Sequence, residues 1–254
     1  MNRSDTIPPD LILAMREARN IVVFTGAGVS AESGIPTFRD ALTGFWQRFD
    51  AEDLATPEAF ARDPELVWGW YEWRRMLVRR TLPNPAHLAI AAWVRSVPRF
   101  TLVTQNVDDL HERAGSSGVL HLHGSLHAAR CVACGLAHLF PAEIPQEPEG
   151  GRRLCPPCCA QCGGLIRPGV VWFGESLPPD VLDAALAAAR ACDLLIAIGT
   201  SGLVQPAASI PLLAKRSEAR LLQVNPMATA LDADCDWSLR GAAGVILPRL
   251  LASV

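Results

Sequence analysis

The chain has 254 residues, of which 50% are hydrophobic and 19% charged, and its formal net charge is −3. That size and composition suit one large domain, or one domain carrying a smaller inserted module, and exclude a disordered chain. The slight negative charge and dispersed basic residues give no electrostatic case for nucleic acid or a membrane surface, and no apolar run approaches the roughly 20 residues of a membrane span.

Residues 1–20 mix Arg3, Asp5, Asp10, Arg16, Glu17 and Arg19 among apolar residues. No secretory signal is expected, and the cytoplasm is the default compartment. Asp10 is placed to cap a first helix reading LILAMREAR. The apolar run Ile21-Val22-Val23-Phe24 stops at Thr25-Gly26-Ala27-Gly28, the pattern of a buried strand entering a tight turn. Thr56-Pro57 and Asp63-Pro64 are cap-plus-proline helix starts, the second opening a long helix to about Arg80. A helix is expected over 85–97, a strand over 99–104, a helical stretch over 107–114 and a short strand over 119–122. After the cysteine region come a strand over 170–173, an alanine-rich helix over 180–191 and a strand over 194–198. A helix over 204–216, a strand over 221–224 and a last strand over 244–247 complete the pattern. Strands alternating with helices predict a Rossmann-like parallel α/β sheet, interrupted by the cysteine segment. The stretch 141–151, rich in Pro, Glu and Gly, reads as a mobile loop of that insert.

Six of the eight cysteines fall between Cys131 and Cys162. Cys131-x-x-Cys134-Gly and Cys159-x-x-Cys162-Gly are two knuckles that together supply four thiolates for a tetrahedral Zn²⁺. The glycine after each pair tolerates the left-handed turn of a knuckle. Cys155-x-x-Cys158 competes as the second pair, although Pro156 and Pro157 remove two backbone donors. Four protein ligands leave no open position, so one structural zinc per chain is expected. Cys192 and Cys235 read as buried thiols.

Gly26-Ala27-Gly28 alone is a weak signal, since it lacks the third glycine of the dinucleotide fingerprint. The stretch GAGVSAESGIPTFRD (26–40) resembles the NAD-binding signature of the sirtuin family. So do TQNVDDLH (104–111), HLHGS (121–125), GVVWFGE (169–175) and GTSGLVQPA (199–207), in family order and over most of the chain. Val29 stands where the family usually has Ile, and Thr37 where it often has Asp. The resemblance implies an NAD-dependent protein-lysine deacylase. It implies that Gly26, Ala27, Gly28, Ser30, Gly199, Thr200 and Ser201 hold the phosphates and adjoining ribose, and that Phe38 and Arg39 belong to a cofactor loop. Gln105, Asn106 and Asp108 would line the nicotinamide side, Asn106 and Asp108 with catalytic roles, and Asn225 and Ala243 would flank the adenosine. On its own, Asn225 before Pro226 reads equally well as a turn residue.

Of six histidines, His123 precedes Gly124-Ser125 and matches the family's catalytic position; a neutral imidazole accepts a proton near neutral pH. In the family the acyl oxygen displaces nicotinamide from the ribose, and the histidine takes a ribose hydroxyl proton. The products are free lysine, nicotinamide and O-acyl-ADP-ribose. His121 is the rival, placed on the same side if both lie on one strand. The other four histidines read as surface or satisfied core residues.

Tyr71 and Arg74 share one helix face. Spacing alone leaves them an ordinary buried aromatic helix. DLATPEAF (53–60) followed by YEWRR (71–75) is similar to the class III sirtuins, which implies that Ala55 widens the acyl pocket while Tyr71 and Arg74 bind an acyl carboxylate (succinyl, malonyl or glutaryl). The acyl-lysine peptide would add as a strand beside Val171, Trp172, Phe173, Gly174 and Glu175. The large domain would comprise 1–40, 83–125 and 167–254, with a helical segment at 41–82 lining the pocket and a zinc module at 126–166. Acyl-lysine proteins are the expected partners, neither nucleic acid nor membrane is, and a monomer is expected. Three alternatives stand beside this reading: a deacetylase-dominant enzyme, an ADP-ribosyltransferase or NAD hydrolase, and a non-catalytic NAD-sensing scaffold. Tyr71 and Arg74 argue against the second, and His123, Asn106 and Asp108 against the third.

Overall fold

Runs of apolar and β-branched residues build the central layer of the computed structural model, which describes residues 7–36, 47, 49–94, 96–140, 146–148 and 151–254. Among these the strands are β1 (Asn20–Thr25), β2 (Arg99–Thr104), β3 (Leu120–His121), β4 (Gly124–Cys131), β5 (Ala137–His138), β6 (Ile166–Val170), β7 (Leu194–Ile198), β8 (Arg220–Val224) and β9 (Trp237–Leu239). The helices are α1 (Pro9–Glu17), α2 (Gly28–Ala31), α3 (Ala51–Leu54), α4 (Pro57–Arg62), α5 (Pro64–Arg80), α6 (Pro85–Trp93), α7 (Leu110–Arg113), α8 (Pro179–Ala191), α9 (Ser209–Arg216) and α10 (Ala243–Ser253).

Six strands form a parallel sheet in the order β3-β2-β1-β7-β8-β9. Side-chain alternation splits its core in two. Ile21, Val23, Ile196 and Leu222 face one side with residues of α1, α6 and α10. Val22, Phe24, Leu195 and Ala197 face the other with residues of α8 and α9. The strand order reverses between β1 and β7, so a crevice opens at their carboxyl ends, the place where open α/β sheets bind ligands. A second, antiparallel sheet, β5-β4-β6, carries the cysteine segment.

Thr56 and Asp63 cap α4 and α5, accepting from the Ala59 and Leu66 N–H groups at 3.0 and 3.1 Å. Asp10 does not cap α1. It sits in the first turn, where its carboxylate accepts the Trp237 indole N–H at 2.9 Å. The expected strand over 244–247 is the start of α10, because buried Ala243, Leu247 and Leu250 recur at helical spacing against α6; the edge strand is β9. The strand expected over 170–173 ends at Val170. Beyond it the Phe173 N–H donates to the Ala55 carbonyl and the Trp172 N–H to the Glu175 carboxylate, at 2.9 Å each, which removes both donors from any ladder. The helices expected over 85–97, 107–114 and 204–216 are shorter, as α6, α7 and α9. The 141–151 stretch lies mostly outside the described residues. No helix among the described residues is long and apolar enough to cross a membrane.

Candidate active site

The turns after β1 and β7 pack against each other at the strand-order reversal. Gly26 N–H donates to the Ile198 carbonyl and Gly28 N–H to the Gly199 carbonyl, both at 2.9 Å. A Cβ on Gly28 would lie 2.8 Å from the Gly199 backbone, and one on Gly199, whose φ is +60°, would lie 2.4 Å from the Val29 nitrogen. These glycines therefore serve first to let two backbones meet, and their N–H groups are spent inside the protein. What remains is a cradle of small residues, Ala27, Thr200 and half-buried Ser201, at the carboxyl ends of two parallel strands. Phe38 and Arg39 lie outside the described residues.

Under the cradle runs a buried polar network. Ser30 Oγ donates to the Asp108 carboxylate at 2.9 Å and accepts from Asn106 Nδ2 at 3.0 Å. His87 Nε2 stands 3.4 Å from the same hydroxyl, while His87 Nδ1 accepts from the Asn84 N–H. The Ser30 oxygen thus uses its donor and both acceptor sites. Asp108 also accepts from the Leu110 N–H; burial pushes its carboxyl upward against those two hydrogen bonds. Gln105 Nε2 donates to Thr200 Oγ1 at 2.8 Å, tying the β2 end to the β7 turn. Asn225 is buried, donates to the Thr200 carbonyl at 2.8 Å and accepts from the Met227 N–H. It therefore holds the turn. Ala243 is buried and opens α10.

His87 and His111 are buried core histidines beneath this network, their rings tilted at 59° with centroids 4.8 Å apart. His111 Nε2 lies 3.0 Å from Thr25 Oγ1, in contact with the β1 end. Burial pulls His87 down to about 4, and burial with the neighbouring His87 and His121 pulls His111 down to about 3. Below the ordinary histidine value of about 6.5 the unfolded chain binds protons that the folded chain refuses, so stability is lost as pH falls from there toward 4. The melting temperature should fall over that window, and His87→Gln should flatten the fall; a flat wild-type profile would refute this.

His123 does not share a strand with His121. His121 ends β3, whereas His123 lies in the turn to β4. Gly124 makes that turn possible: its φ is +74°, and a Cβ there would lie 2.2 Å from the Gly169 carbonyl oxygen. His123 Nδ1 is 2.9 Å from the Gln105 carbonyl, so it carries the proton and leaves Nε2 with the lone pair. Burial lowers the imidazole pKa against that hydrogen bond. His121 is committed at both nitrogens, Nδ1 at 3.1 Å from the Asn106 carbonyl and Nε2 at 2.7 Å from Glu112 Oε1. Its pKa is raised, the Glu112 carboxylate and its other partners outweighing burial. A neutral imidazole with an available Nε2 is the better proton acceptor, which separates the two histidines.

In the small sheet, the Sγ atoms of Cys131, Cys134, Cys159 and Cys162 all lie within 4.8 Å of one another, with 3.4 Å between Cys131 and Cys162 and 3.7 Å between Cys134 and Cys159. Zn–S bonds of about 2.3 Å give tetrahedral edges of about 3.8 Å, so this donor set fits zinc and would hold it with no open position. Gly135 and Gly163 take φ of +71° and +74°, as the knuckles require. Cys155 and Cys158 stand apart from the cluster. The Cys155→Ser/Cys158→Ser double variant should therefore keep one zinc per chain by elemental analysis, while Cys159→Ser should lose it and melt at lower temperature. Retention of zinc by Cys159→Ser would overturn the assignment.

On α5, Tyr71 and Arg74 are both buried, at 4% and 6% exposure. Burial lowers the Arg74 pKa against the opposing fields of Tyr71 and Asp108. Its neighbour Arg75 instead grips Glu72 at 2.7 Å and lies over the Phe140 ring. Ala55 is buried in the same cluster as Tyr71 and Trp172. Glu175, expected along the peptide edge, is held by Arg167 at 2.5 and 3.0 Å. The N–H groups of Val171, Trp172, Phe173 and Glu175 are likewise used within the protein. Gly174 takes a φ of +85°. The spacing gave no sign of Arg167, whose nearest signal was a lone arginine after the last knuckle.

The Sir2 family profile matches residues 26–206. The chain is 62% identical over 245 residues to a protein of Methylococcus capsulatus named NAD-dependent protein deacylase, covering 96% of each. It superposes on the crystal structure of a Sir2 homolog–NAD complex with a TM-score of 0.90 at 47% identity, covering 99% of this chain and 95% of that one. A Sir2–p53 peptide–NAD⁺ structure matches with a TM-score of 0.83 at 29% identity over 97% of this chain and 98% of that one.

Proposed function

The chain belongs to the Sir2 family and is an NAD-dependent protein deacylase; from that premise we propose that it prefers lysines carrying acidic acyl groups, succinyl, malonyl or glutaryl. The observation that carries this reading is the buried Tyr71–Arg74 pair on one face of α5, beside Ala55 and in the field of Asp108. A buried guanidinium and phenol are suited to a carboxylate, because Arg presents a planar fork and Tyr a further donor. An acetyl group presents no carboxylate to these donors and forgoes the charge-assisted contact, so it should react less well.

NAD, when bound, supplies the ribose carbon that accepts the acyl oxygen and the nicotinamide that leaves. The small residues Gly26, Ala27, Gly28, Gly199, Thr200 and Ser201 at the carboxyl ends of β1 and β7 are the ones that would hold its diphosphate, a reading supported by the similarity to a Sir2 homolog solved with NAD. Asn225 and Ala243 shape the adenosine end. Asn106 and Asp108, locked through Ser30, orient the reacting end with Gln105. His123 receives a ribose hydroxyl proton at Nε2 while the Gln105 carbonyl holds its Nδ1–H. The substrate is an acyl-lysine segment of a protein, a reading supported by the similarity to a Sir2 structure named with a p53 peptide and NAD⁺. It runs along residues 171–175, and because four N–H groups there are already engaged, pairing would go through carbonyl groups. A cytoplasmic monomer, with no role for nucleic acid or membrane, completes the reading.

The test is a comparison of one peptide bearing succinyl-lysine or acetyl-lysine, with NAD, followed by mass spectrometry. A higher kcat/KM for succinyl-lysine, with O-succinyl-ADP-ribose formed, is expected. A preference for acetyl-lysine would keep the deacylase chemistry and reject the acidic-acyl preference.

A further inference from the structure

The Tyr71 hydroxyl is only useful to a carboxylate if its hydrogen points into the pocket. A phenol has one hydrogen to donate and oxygen lone pairs to accept, whereas an indole N–H can only donate. Trp172 Nε1 lies 2.9 Å from the Tyr71 oxygen, so at this contact Tyr71 accepts, and its own hydrogen must point elsewhere. Tyr71 and Trp172 are 4% and 3% exposed, which leaves little room for water to take either place.

Trp172 is itself clamped. Arg167 lies over its ring, 3.4 Å from guanidinium carbon to centroid, and makes a two-pronged pair with Glu175. The same Glu175 carboxylate accepts the Trp172 backbone N–H at 2.9 Å. The Phe60 ring stands 5.4 Å away on another side. The indole N–H is thereby held in direction as well as in place.

We infer that Trp172 is a specificity-determining positioning residue: its indole N–H occupies an acceptor site of the Tyr71 hydroxyl and turns the phenolic hydrogen toward the acyl carboxylate. This rests on the reading that Tyr71 and Arg74 bind that carboxylate. Burial keeps the phenol protonated well past neutral pH, so the donor is present throughout the working range. An acetyl group has no carboxylate to receive the hydrogen, so the effect should fall on the ratio between acyl groups.

The experiment is a double-mutant cycle of Trp172→Phe and Tyr71→Phe, read as the succinyl-to-acetyl ratio of kcat/KM. Trp172→Phe should lower the ratio about five- to tenfold, the range for one lost hydrogen bond, and should lower it no further in the Tyr71→Phe background. Replacing Trp172 with benzothienylalanine, which keeps the ring shape and loses only the N–H, should give the same fall without disturbing packing. An unchanged ratio in either Trp172 variant, or an equal fall with and without the Tyr71 hydroxyl, would overturn the inference while leaving the carboxylate reading intact. A wild-type enzyme without succinyl preference that Tyr71→Phe does not alter would overturn both.

Discussion

His123→Ala should lower kcat/KM by about 10²- to 10⁴-fold, the range for loss of a positioned general base, with the fold and the zinc content unchanged. His121 and His123 both set Nδ1 against a carbonyl, that of Gln105 at 2.9 Å for His123, but His121 Nε2 is taken by Glu112 whereas His123 Nε2 is left to accept a proton. His123 lies in the turn to β4, away from the packed faces of the large sheet, so alanine there leaves the two cores untouched. Because burial lowers its pKa, the neutral, working form should persist below the ordinary imidazole value of about 6.5. The acid limb of the rate profile should accordingly fall at lower pH than that value. Appreciable deacylation by His123→Ala, or an acid limb well above 6.5, would reject the role. His121→Ala is the control: it breaks the contact to Glu112 and should cost less activity, since that imidazole is committed at both nitrogens.

Arg74→Met should lower the succinyl-to-acetyl ratio by about 30- to 1,000-fold, the equivalent of about 2–4 kcal/mol for a buried charge-assisted pair. Methionine keeps much of the side-chain length and suits the surrounding aromatic cluster, where Trp70 lies 5.2 Å from the guanidinium. It removes the charge and all five donors. Measurements of kcat/KM on paired succinyl and acetyl peptides decide it. Equal losses on both would mean that Arg74 serves the pocket as a whole rather than the carboxylate.

How far the chain could be read in advance differs from element to element. The β1 run and the Leu194–Ile198 run were legible because a buried parallel strand is apolar on both faces, and the caps at Thr56 and Asp63 because a capping side chain acts on its own next turn. The final segment was misread: four residues of GVIL fit a short strand or one side of a helix, and only packing against α6 separates them. The segment after Val170 looked like a strand for the same reason, yet its N–H groups are taken by Ala55, His123 and Glu175.

By itself the sequence determined the alternating architecture, the knuckle pairs, the glycine turns and the candidate His123, Tyr71 and Arg74, because each depends on local spacing, a backbone angle or a motif. The tertiary structure decided what those residues touch. It gathered Cys159 and Cys162, and left Cys155 and Cys158 out, by folding β4 onto β6. It separated His123 from His121 by giving each a different partner, and it brought Trp172 to Tyr71 across 101 positions of chain. The physical reason is common to all three: short-range periodicity specifies which way a side chain leaves its own element, whereas a hydrogen bond or a metal cage needs atoms placed within a few tenths of an ångström by elements distant in the chain.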